Sequence, residues 1–135
     1  MEYHFGRLLD HLHLCVKDLE ASKAFYRAAL GALGRDITWE GEHAFAADEL
    51  WVTDEGERTG RIHFAFQAAD RGAVARFHEA ALAAGGRDNG GPGERHYHPG
   101  YYAAYALDPD GNNVEAVFHG EASRSVASVV FEPRR

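Results

Sequence analysis

Apolar and polar residues alternate in two short stretches of the chain, and each stretch precedes a segment with helical periodicity. Residues 10–17 and 61–68 alternate with the period of two that is typical of a β-strand. Residues 19–32 and 71–84 are rich in alanine, and their larger apolar residues recur at helical spacing. The pattern therefore predicts two consecutive units, each with a strand followed by a helix.

The two units align with each other when the sequence is shifted by 52 positions. The alignment contains nine identities in 26 gapless positions, and it pairs His11 with His63 and Asp18 with Asp70. Such self-similarity is typical of an internal duplication, in which each copy folds as the same supersecondary unit. We therefore expect the segments that follow the two helices to correspond as well.

Short strand-like runs follow each helix. The first copy contains DITWE, EHAFAA and ELWVTD, and the second contains RHY, YYAAYAL and NVEAVFH. The segments between them, which include DNGGPGER and DPDGNN, are rich in turn-forming residues. The prediction is an α+β fold of two βαβββ modules with a curled mixed sheet, module one over 8–57 and module two over 60–119. For the C-terminal extension, 120–135, we expect a strand or a contact with a second chain.

The alternation of the strands predicts which side chains share a face of the sheet. His11, His13 and Cys15 lie on the face away from the helix, while Leu12, Leu14 and Val16 pack beneath it. The same rule selects the residues that we expect on the concave face of the curled sheet, and these are His11, His13, Trp51, Thr53, His63, Tyr101, Tyr105 and Glu115.

Three of these residues form a typical metal-ligand set. His11 and His63 occupy equivalent positions of the repeat, and Glu115 lies in the final strand of module two. Two neutral imidazoles and one carboxylate suit a divalent ion that keeps open positions for a substrate. The sequence does not select among Zn, Ni, Mn and Fe.

Composition narrows the possible partners. The 135-residue chain is long enough for one hydrophobic core, and its formal charge of -7 disfavours nucleic acids and anionic membranes. Its single cysteine cannot form an internal disulfide, and the chain has neither an apolar signal segment nor a long apolar run. We expect a cytoplasmic protein that acts on a small molecule.

The motifs together resemble the vicinal oxygen chelate superfamily. The resemblance rests on the first strand with His11, the segment ASKAFY, the second strand with His63, and LDPDGNNVEAV with Glu115. This superfamily includes glyoxalase I, fosfomycin and bleomycin resistance proteins, and extradiol dioxygenases. The resemblance implies a metal-binding cup that is completed by exchange of modules between two chains. His11 of one chain would then meet His63 and Glu115 of the partner.

The departures from known members separate the possible activities. Trp51 stands where glyoxalase I-like enzymes have a glutamate ligand, and Glu49 would replace that ligand only in a different register. The positions of Trp51 and Tyr105 resemble those of a tryptophan and a substrate-binding tyrosine in the fosfomycin resistance transferases. The potassium-binding loop and the phosphonate-binding lysine of those enzymes have no counterpart here. Bleomycin-binding members generally lack the ligand set. The segment YHPGYYAAYALDPDGNNVEAV is most similar to small bacterial glyoxalase-like proteins whose activities are unassigned.

The resulting hypothesis is an enzyme in which the metal chelates two neighbouring oxygens of a small substrate and stabilises an oxyanion or enolate. Such a lyase or isomerase would use Tyr105 as a hydrogen-bond donor and Trp51 as a wall, with Thr53 and Tyr101 as further substrate contacts. The base remains open among Glu115, His13 and a hydroxide ion at the metal. An iron(II) extradiol-type dioxygenase and a non-catalytic, antibiotic-like binding or resistance protein are the alternatives.

Several further side chains allow two interpretations. His13 is either a base or substrate contact, or a polar residue at the mouth of the cup. Cys15 is either a small buried side chain or a reactive thiol. His96 and His98 either cover the site and shuttle protons or belong to a solvated loop. The remaining histidines, which we expect on the surface, are His4, His43, His78 and His119.

Overall fold

Two strand–helix–strand units follow each other along the chain, as the duplication predicts. A computed structural model describes residues 3–5, 8–121, 123 and 129–131, and these residues form two helices and ten strands. In chain order, the elements are β1 (Tyr3–Phe5), β2 (Leu12–Cys15), α1 (Leu19–Ala32), β3 (Trp39–Glu40), β4 (Ala44–Ala47), β5 (Leu50–Thr53), β6 (His63–Gln67), α2 (Arg71–Ala83), β7 (Arg87–Glu94), β8 (Tyr102–Leu107), β9 (Asn113–Phe118) and β10 (Val129–Phe131).

The two modules have the same sheet topology. Each forms a four-stranded sheet, with the order β2-β5-β4-β3 in module one and β6-β9-β8-β7 in module two. In each sheet the first strand pairs in parallel with the last, and the other pairings are antiparallel. The predicted α+β class with paired βαβββ modules and mixed sheets is therefore confirmed.

The hydrophobic core lies between the sheets and the two helices, which also pack against each other. Leu14 and Val16 of the first strand region are fully buried beneath α1, whereas His11 and His13 are exposed on the other face. In β6 the same alternation partly buries Phe64 and leaves its neighbours exposed. The alternation therefore assigns the two faces as predicted.

Both helices begin at equivalent aspartates of the repeat. The Asp18 carboxylate accepts the backbone N–H of Ala21 at 3.1 Å, and the Asp70 carboxylate accepts that of Ala73 at 2.7 Å. These bonds satisfy N–H groups that have no partner inside the first helical turn. The shared cap explains why the helix starts follow the repeat. No helix in the described part of the chain is long and apolar enough to cross a membrane.

One buried polar contact joins the turn of module two to the helix of module one. The Tyr26 hydroxyl donates to Asp108 at 2.5 Å, and Asp108 also accepts the side-chain amide and backbone N–H of Asn112. Burial, followed by the adjacent Asp108 charge, raises the pKa of Tyr26, so that this phenol stays protonated. The DPDGNN turn thus anchors α1 as well as linking β8 to β9.

The prediction for the strand that follows α2 was wrong. DNGGPGER was predicted as a turn and RHY as the strand, but β7 covers Arg87–Glu94 and RHY lies in the following loop. This strand is an edge strand whose pairing with β8 shifts register on both sides of Gly90. Glycine and proline are tolerated at such irregular edges, because the ladder does not need every N–H.

The two ends of the chain meet in a small separate sheet. β1 and β10 pair antiparallel, with His4 opposite Val130. The expected strand in the C-terminal extension is therefore confirmed for Val129–Phe131, and the rest of that extension lies largely outside the described residues. The sequence analysis assigned no strand to the N-terminal segment. The prediction that the His4 side chain is on the surface also lies outside what is described.

Candidate functional site

Each sheet has one face that packs toward its helix and one that faces away from it, here called the open face. On the open face of module two, a histidine and a buried carboxylate lie in direct contact. His63 is the first residue of β6, Glu115 lies in the middle of β9, and the His63 Nε2 atom is 2.8 Å from Glu115 Oε1. Glu115 is only 2% exposed, whereas the imidazole of His63 is about half exposed. A buried carboxylate needs hydrogen bonds or an opposite charge to offset its desolvation, and His63 supplies one partner.

Two tyrosines complete this part of the site. The Tyr101 hydroxyl donates to the second carboxylate oxygen of Glu115, and the Tyr105 ring lies 5.9 Å from the ring of His63. Burial, together with the Glu115 carboxylate, raises the pKa of Tyr101 and, to a lesser extent, that of Tyr105. Both phenols therefore keep their protons at neutral pH and act as hydrogen-bond donors. The Arg95 guanidinium lies over the Tyr105 ring, 5.2 Å from its centre.

The open face of module one carries the other two histidines. His13 Nε2 lies 2.8 Å from the Thr53 hydroxyl, which in turn donates to the backbone oxygen of Glu55 at 3.3 Å. Because Thr53 uses its only proton on Glu55, it accepts from Nε2 of His13, and Nδ1 of a neutral His13 keeps its lone pair. This contact gives both His13 and Thr53 defined positions beside the open face.

His11 has a neighbour that the sequence analysis missed. Its Nδ1 lies 2.7 Å from the Asp10 carboxylate, which fixes Nδ1 as the protonated nitrogen and leaves Nε2 with a free lone pair in the neutral ring. Histidines that bind metals commonly donate their second N–H to a carboxylate in this way. The signal was present in the sequence, because an acidic residue directly precedes the candidate ligand.

Trp51 occupies the position in module one that corresponds to Glu115 in module two. Trp51 pairs with His13 in the parallel ladder, as Glu115 pairs with Ala65, and Ala65 is the repeat equivalent of His13. The Trp51 indole stacks on that of Trp39, with ring centres 5.3 Å apart. Glu49 lies one residue before β5, where its backbone oxygen accepts the N–H of Leu12.

The structure brings some of the expected site residues together and leaves others apart. Glu115, His63, Tyr101 and Tyr105 share one face, whereas the His11 imidazole is not within 4.8 Å of the His63 and Glu115 ligand atoms in the part of the chain that is described. The residues on the other sheet are His13, Trp51 and Thr53, and His11 directly precedes its first strand.

The remaining histidines and the cysteine differ in their surroundings. Cys15 is buried, and its thiol donates to the Glu55 backbone oxygen, which confirms the interpretation as a small buried side chain. His43 is exposed as expected, but it forms a cluster with Asp54 and Glu55 in which one ligand atom of each lies within 4.8 Å of the others.

Four further histidines, the last of them the exposed His119, lie at or near the surface. His78 is half-buried and contacts Asp88 at 2.9 Å, so the expectation of a surface position was only partly right. His96 is exposed beside Tyr97. His98 is also exposed, and it contacts His119, a long-range pairing that the sequence analysis did not foresee.

Comparisons with known proteins agree with this arrangement of modules. A family model for the Glyoxalase/Bleomycin resistance protein/Dioxygenase superfamily matches residues 8–116. A glyoxalase/bleomycin resistance protein from Albidiferax ferrireducens is 29% identical, with a TM-score of 0.71 over 82% of this chain and 98% of that one. No curated protein matches the chain significantly.

More distant solved structures share the fold. A glyoxalase-related enzyme from Fulvimarina pelagi is 19% identical, with a TM-score of 0.66 over 90% of this chain and 100% of that one. A lactoylglutathione lyase from Agrobacterium tumefaciens is 23% identical, with a TM-score of 0.56 over 83% of this chain and 93% of that one. Because the family model covers most of the sequence and the module topology agrees, the chain belongs to the glyoxalase/bleomycin resistance/dioxygenase superfamily.

Proposed function

We propose that this protein is a divalent-metal-dependent enzyme that acts on a small substrate with two neighbouring oxygens. The ligands are His63 and Glu115 from one chain and His11 from a second. The observation that carries the proposal is the contact of 2.8 Å between His63 Nε2 and the nearly buried Glu115 carboxylate. A site of this type favours lyase or isomerase chemistry, in which a proton moves next to a polarised oxygen.

The donor atoms of these residues fit a divalent metal. Atoms that bind one ion lie roughly 3 Å apart, and His63 Nε2 and Glu115 Oε1 have almost this separation. A bound metal would replace the proton that Nε2 donates to the carboxylate in this contact. The contact of His11 with Asp10 leaves Nε2 of the neutral imidazole able to bind a metal. Two imidazoles and one carboxylate suit Zn, Ni, Mn or Fe, and they leave open positions for substrate.

The site requires two chains. Within one chain the open faces belong to separate sheets, and His11 does not approach the other two ligands in the described residues. A homodimer in which module one of each chain faces module two of the other would bring the three ligands together twice. The repeat supports this arrangement, because both modules have the same shape and open the same face.

Each side chain of the site has a distinct part in the proposed chemistry. A bound metal acts as a Lewis acid that stabilises negative charge on the substrate oxygens. Tyr101 donates to Glu115 and holds the carboxylate in place, while the protonated Tyr105 can donate to the substrate. Trp51 closes one side of the cavity, and the Thr53 contact holds His13 as a base or a substrate contact.

A second candidate function is binding without catalysis. It is favoured by the Trp39 and Trp51 stack, which stands where a second carboxylate would complete a four-ligand site. Stacked indoles provide a flat apolar surface of the kind that holds aromatic ligands. Such a protein would keep its ligand affinity after removal of metal.

Metal analysis of variants tests the proposal. We expect His63→Ala and Glu115→Gln to lose one metal equivalent per chain, while the matched surface variant His96→Ala retains it. Chelation with EDTA should lower the melting temperature of the wild-type protein but not that of His63→Ala, because a ligand stabilises only the state that binds it. Equal metal content in wild type and His63→Ala would reject the metal site.

If iron is the metal found, oxygen consumption with catechol distinguishes dioxygenation from lyase or isomerase chemistry.

Mixing two inactive variants tests the shared site. In a heterodimer of His11→Ala and His63→Ala chains, one of the two sites has all its ligands, so subunit exchange should restore about a quarter of wild-type metal binding. Sites contained within one chain would give no recovery. This outcome would reject the shared dimer site while leaving a metal site within a single chain possible.

A further inference from the structure

Two histidines from distant parts of module two meet outside the proposed metal site. His98 lies in the loop between β7 and β8, and His119 follows the last residue of β9. The Nε2 atom of His98 is 2.9 Å from Nδ1 of His119, and the two rings stack with an angle of 18° between their planes. Both side chains are exposed, so that solvent and ions reach the pair.

The neighbouring atoms fix the proton positions of this pair. His98 Nδ1 lies 2.9 Å from the backbone oxygen of Pro99, and since a carbonyl only accepts, Nδ1 carries the proton. In the neutral pair, Nε2 of His98 is then the acceptor, and Nδ1 of His119 donates to it. The lone pair of His98 therefore points to the other imidazole.

Two glycines allow the backbone segments that carry the two rings to approach each other closely. Gly100 and Gly120 both have positive φ, at +90° and +89°, and an added Cβ on Gly100 would lie 3.1 Å from the backbone oxygen of His119. The loop therefore approaches the end of β9 more closely than other residues would allow. The Tyr101 ring makes edge contacts with both imidazoles, with centre distances of 5.4 and 5.3 Å.

This pair differs from other described histidines that contact a partner. His43, His63 and His78 each contact a carboxylate. His98 and His119 instead contact each other, and two positive charges at 2.9 Å would repel strongly. A bound cation would replace the hydrogen bond between the two rings.

We propose that His98 and His119 form a second metal site, for a borderline transition metal such as Ni²⁺ or Cu²⁺. Two imidazole nitrogens bound at right angles to one ion lie about 2.8–3.0 Å apart, close to the separation found here. The Pro99 carbonyl supplies the second hydrogen bond that ligating histidines typically make. On binding, the proton on His119 moves from Nδ1 to Nε2 through solvent, so the neutral pair releases no net proton.

An ion at this site would fix the two stacked imidazoles, and both of them make edge contacts with the Tyr101 ring. Tyr101 donates to Glu115, so the second site is one side chain away from the proposed catalytic metal. Because both rings are exposed, water would complete the coordination of such an ion. We therefore assign the pair a positioning role for Tyr101, separate from substrate binding.

Calorimetric titration with Ni²⁺ alone tests the second site. We expect His98→Gln and His119→Gln each to weaken one Ni²⁺ site at least tenfold, because the loss of either imidazole ends the two-point attachment. His96→Gln is the matched control, an exposed histidine two residues away, and it should leave every site unchanged. Thermal melts confirm that the variants are folded.

The two proposals fail in different ways. His63→Ala should leave the site at His98 and His119 intact, so the second site is measured even if the first does not exist. An unchanged Ni²⁺ titration in folded His98→Gln or His119→Gln would overturn the second site. Loss of a site in only one of these two variants would also overturn it, since the proposal requires both rings.

Discussion

The two modules share a backbone but differ sharply in the residues that line their open faces. Across module one, the register partners form a row of His13, Trp51, Ala46 and Trp39. Across module two, the equivalent row is Ala65, Glu115, Tyr105 and Gly90. The first row is aromatic with a histidine at one end, and the second is centred on a buried carboxylate.

This difference shows that two modules with the same topology can carry different side chains on their open faces. The buried faces retain the same pattern of apolar residues, because both must pack beneath a helix. The open faces have no such constraint, so one row contains the Glu115 carboxylate and the other has Trp51 at the equivalent position. If the faces meet in a dimer, the two rows line opposite walls of the same cavity.

The largest predicted effect comes from breaking the contact between the modules. Asp108→Ala should lower the free energy of unfolding by about 3 kcal/mol, because it leaves the Tyr26 hydroxyl and the N–H groups of the turn without their buried acceptor. Tyr26→Phe should cost only about 1 kcal/mol, because Asn112 still donates to Asp108. Urea denaturation measures both values. Equal losses in the two variants would show that the turn does not depend on Asp108.

A smaller loss of stability is expected from substitution of Gly90, which lies against the Tyr105 ring in module two. Gly90 has φ +143°, and an added Cβ would lie 2.9 Å from Cδ2 of Tyr105. We expect Gly90→Ala to cost about 1–2 kcal/mol of stability, from backbone strain and displacement of the Tyr105 ring. Gly91→Ala is the matched control and should change stability by less than about 0.5 kcal/mol, because an added Cβ there meets nothing within 4 Å.

The same substitution in module one sharpens the comparison. At Gly41, an added Cβ would lie 2.6 Å from the Trp39 indole, but the backbone has no positive φ. Gly41→Ala should therefore move the ring rather than strain the chain. Since Trp39 and Trp51 are the only tryptophans, near-ultraviolet circular dichroism of the stack should change while the melting temperature changes little. A melting temperature as low as that of Gly90→Ala would contradict the difference between the modules.

The smallest predicted effects are changes of stability with pH, and they occur in a different pH range in each module. A hydrogen bond to Asp54, aided by the charge of Glu55, raises the pKa of His43 above its ordinary value of 6.5. The protonated ring thus stabilises the fold fully below pH 6.5, and this stability is lost as the pH rises through the folded-state pKa. His43→Gln should remove this dependence from chemical denaturation curves measured across that range.

In module two the corresponding group is an acid. The backbone N–H of Gly90, followed by His78, lowers the pKa of Asp88 below its ordinary value of 3.8. Its contribution is present above pH 3.8 and is lost as the pH falls through the folded-state pKa. Asp88→Asn should flatten the acid limb of the stability curve and leave the neutral limb unchanged. Since both groups are exposed, we expect small changes.

The sequence was most informative where a repeat and an alternating pattern support each other. The shift of 52 positions located both helices, and it paired His11 with His63 and Asp18 with Asp70, the two aspartates that cap the helices in the structure. The face assignment of Glu115 also followed from alternation, and the structure places it in contact with His63. These features depend on local periodicity, which a single sequence contains.

Contacts between distant segments were less predictable. β7 was missed because its glycines and Pro92 are typical of a turn, and only its pairing with β8 makes it a strand. The contact of His98 with His119 depends on how a loop closes on a strand end, for which no sequence spacing gives a signal. The anchoring of Tyr26 by Asp108 likewise spans 82 positions of the chain.

The irregular strand β7 also affects how the molecule meets other chains. Its shifts of register and its Pro92 interrupt the row of backbone groups at that edge of the sheet, and β3 at the equivalent edge of module one has only two residues. Regular edges invite strand addition by other molecules, and short or bulged edges prevent it. The two outer edges are therefore poor templates for strand addition, and the edges open to pairing with another chain are those of the regular strands β2 and β6.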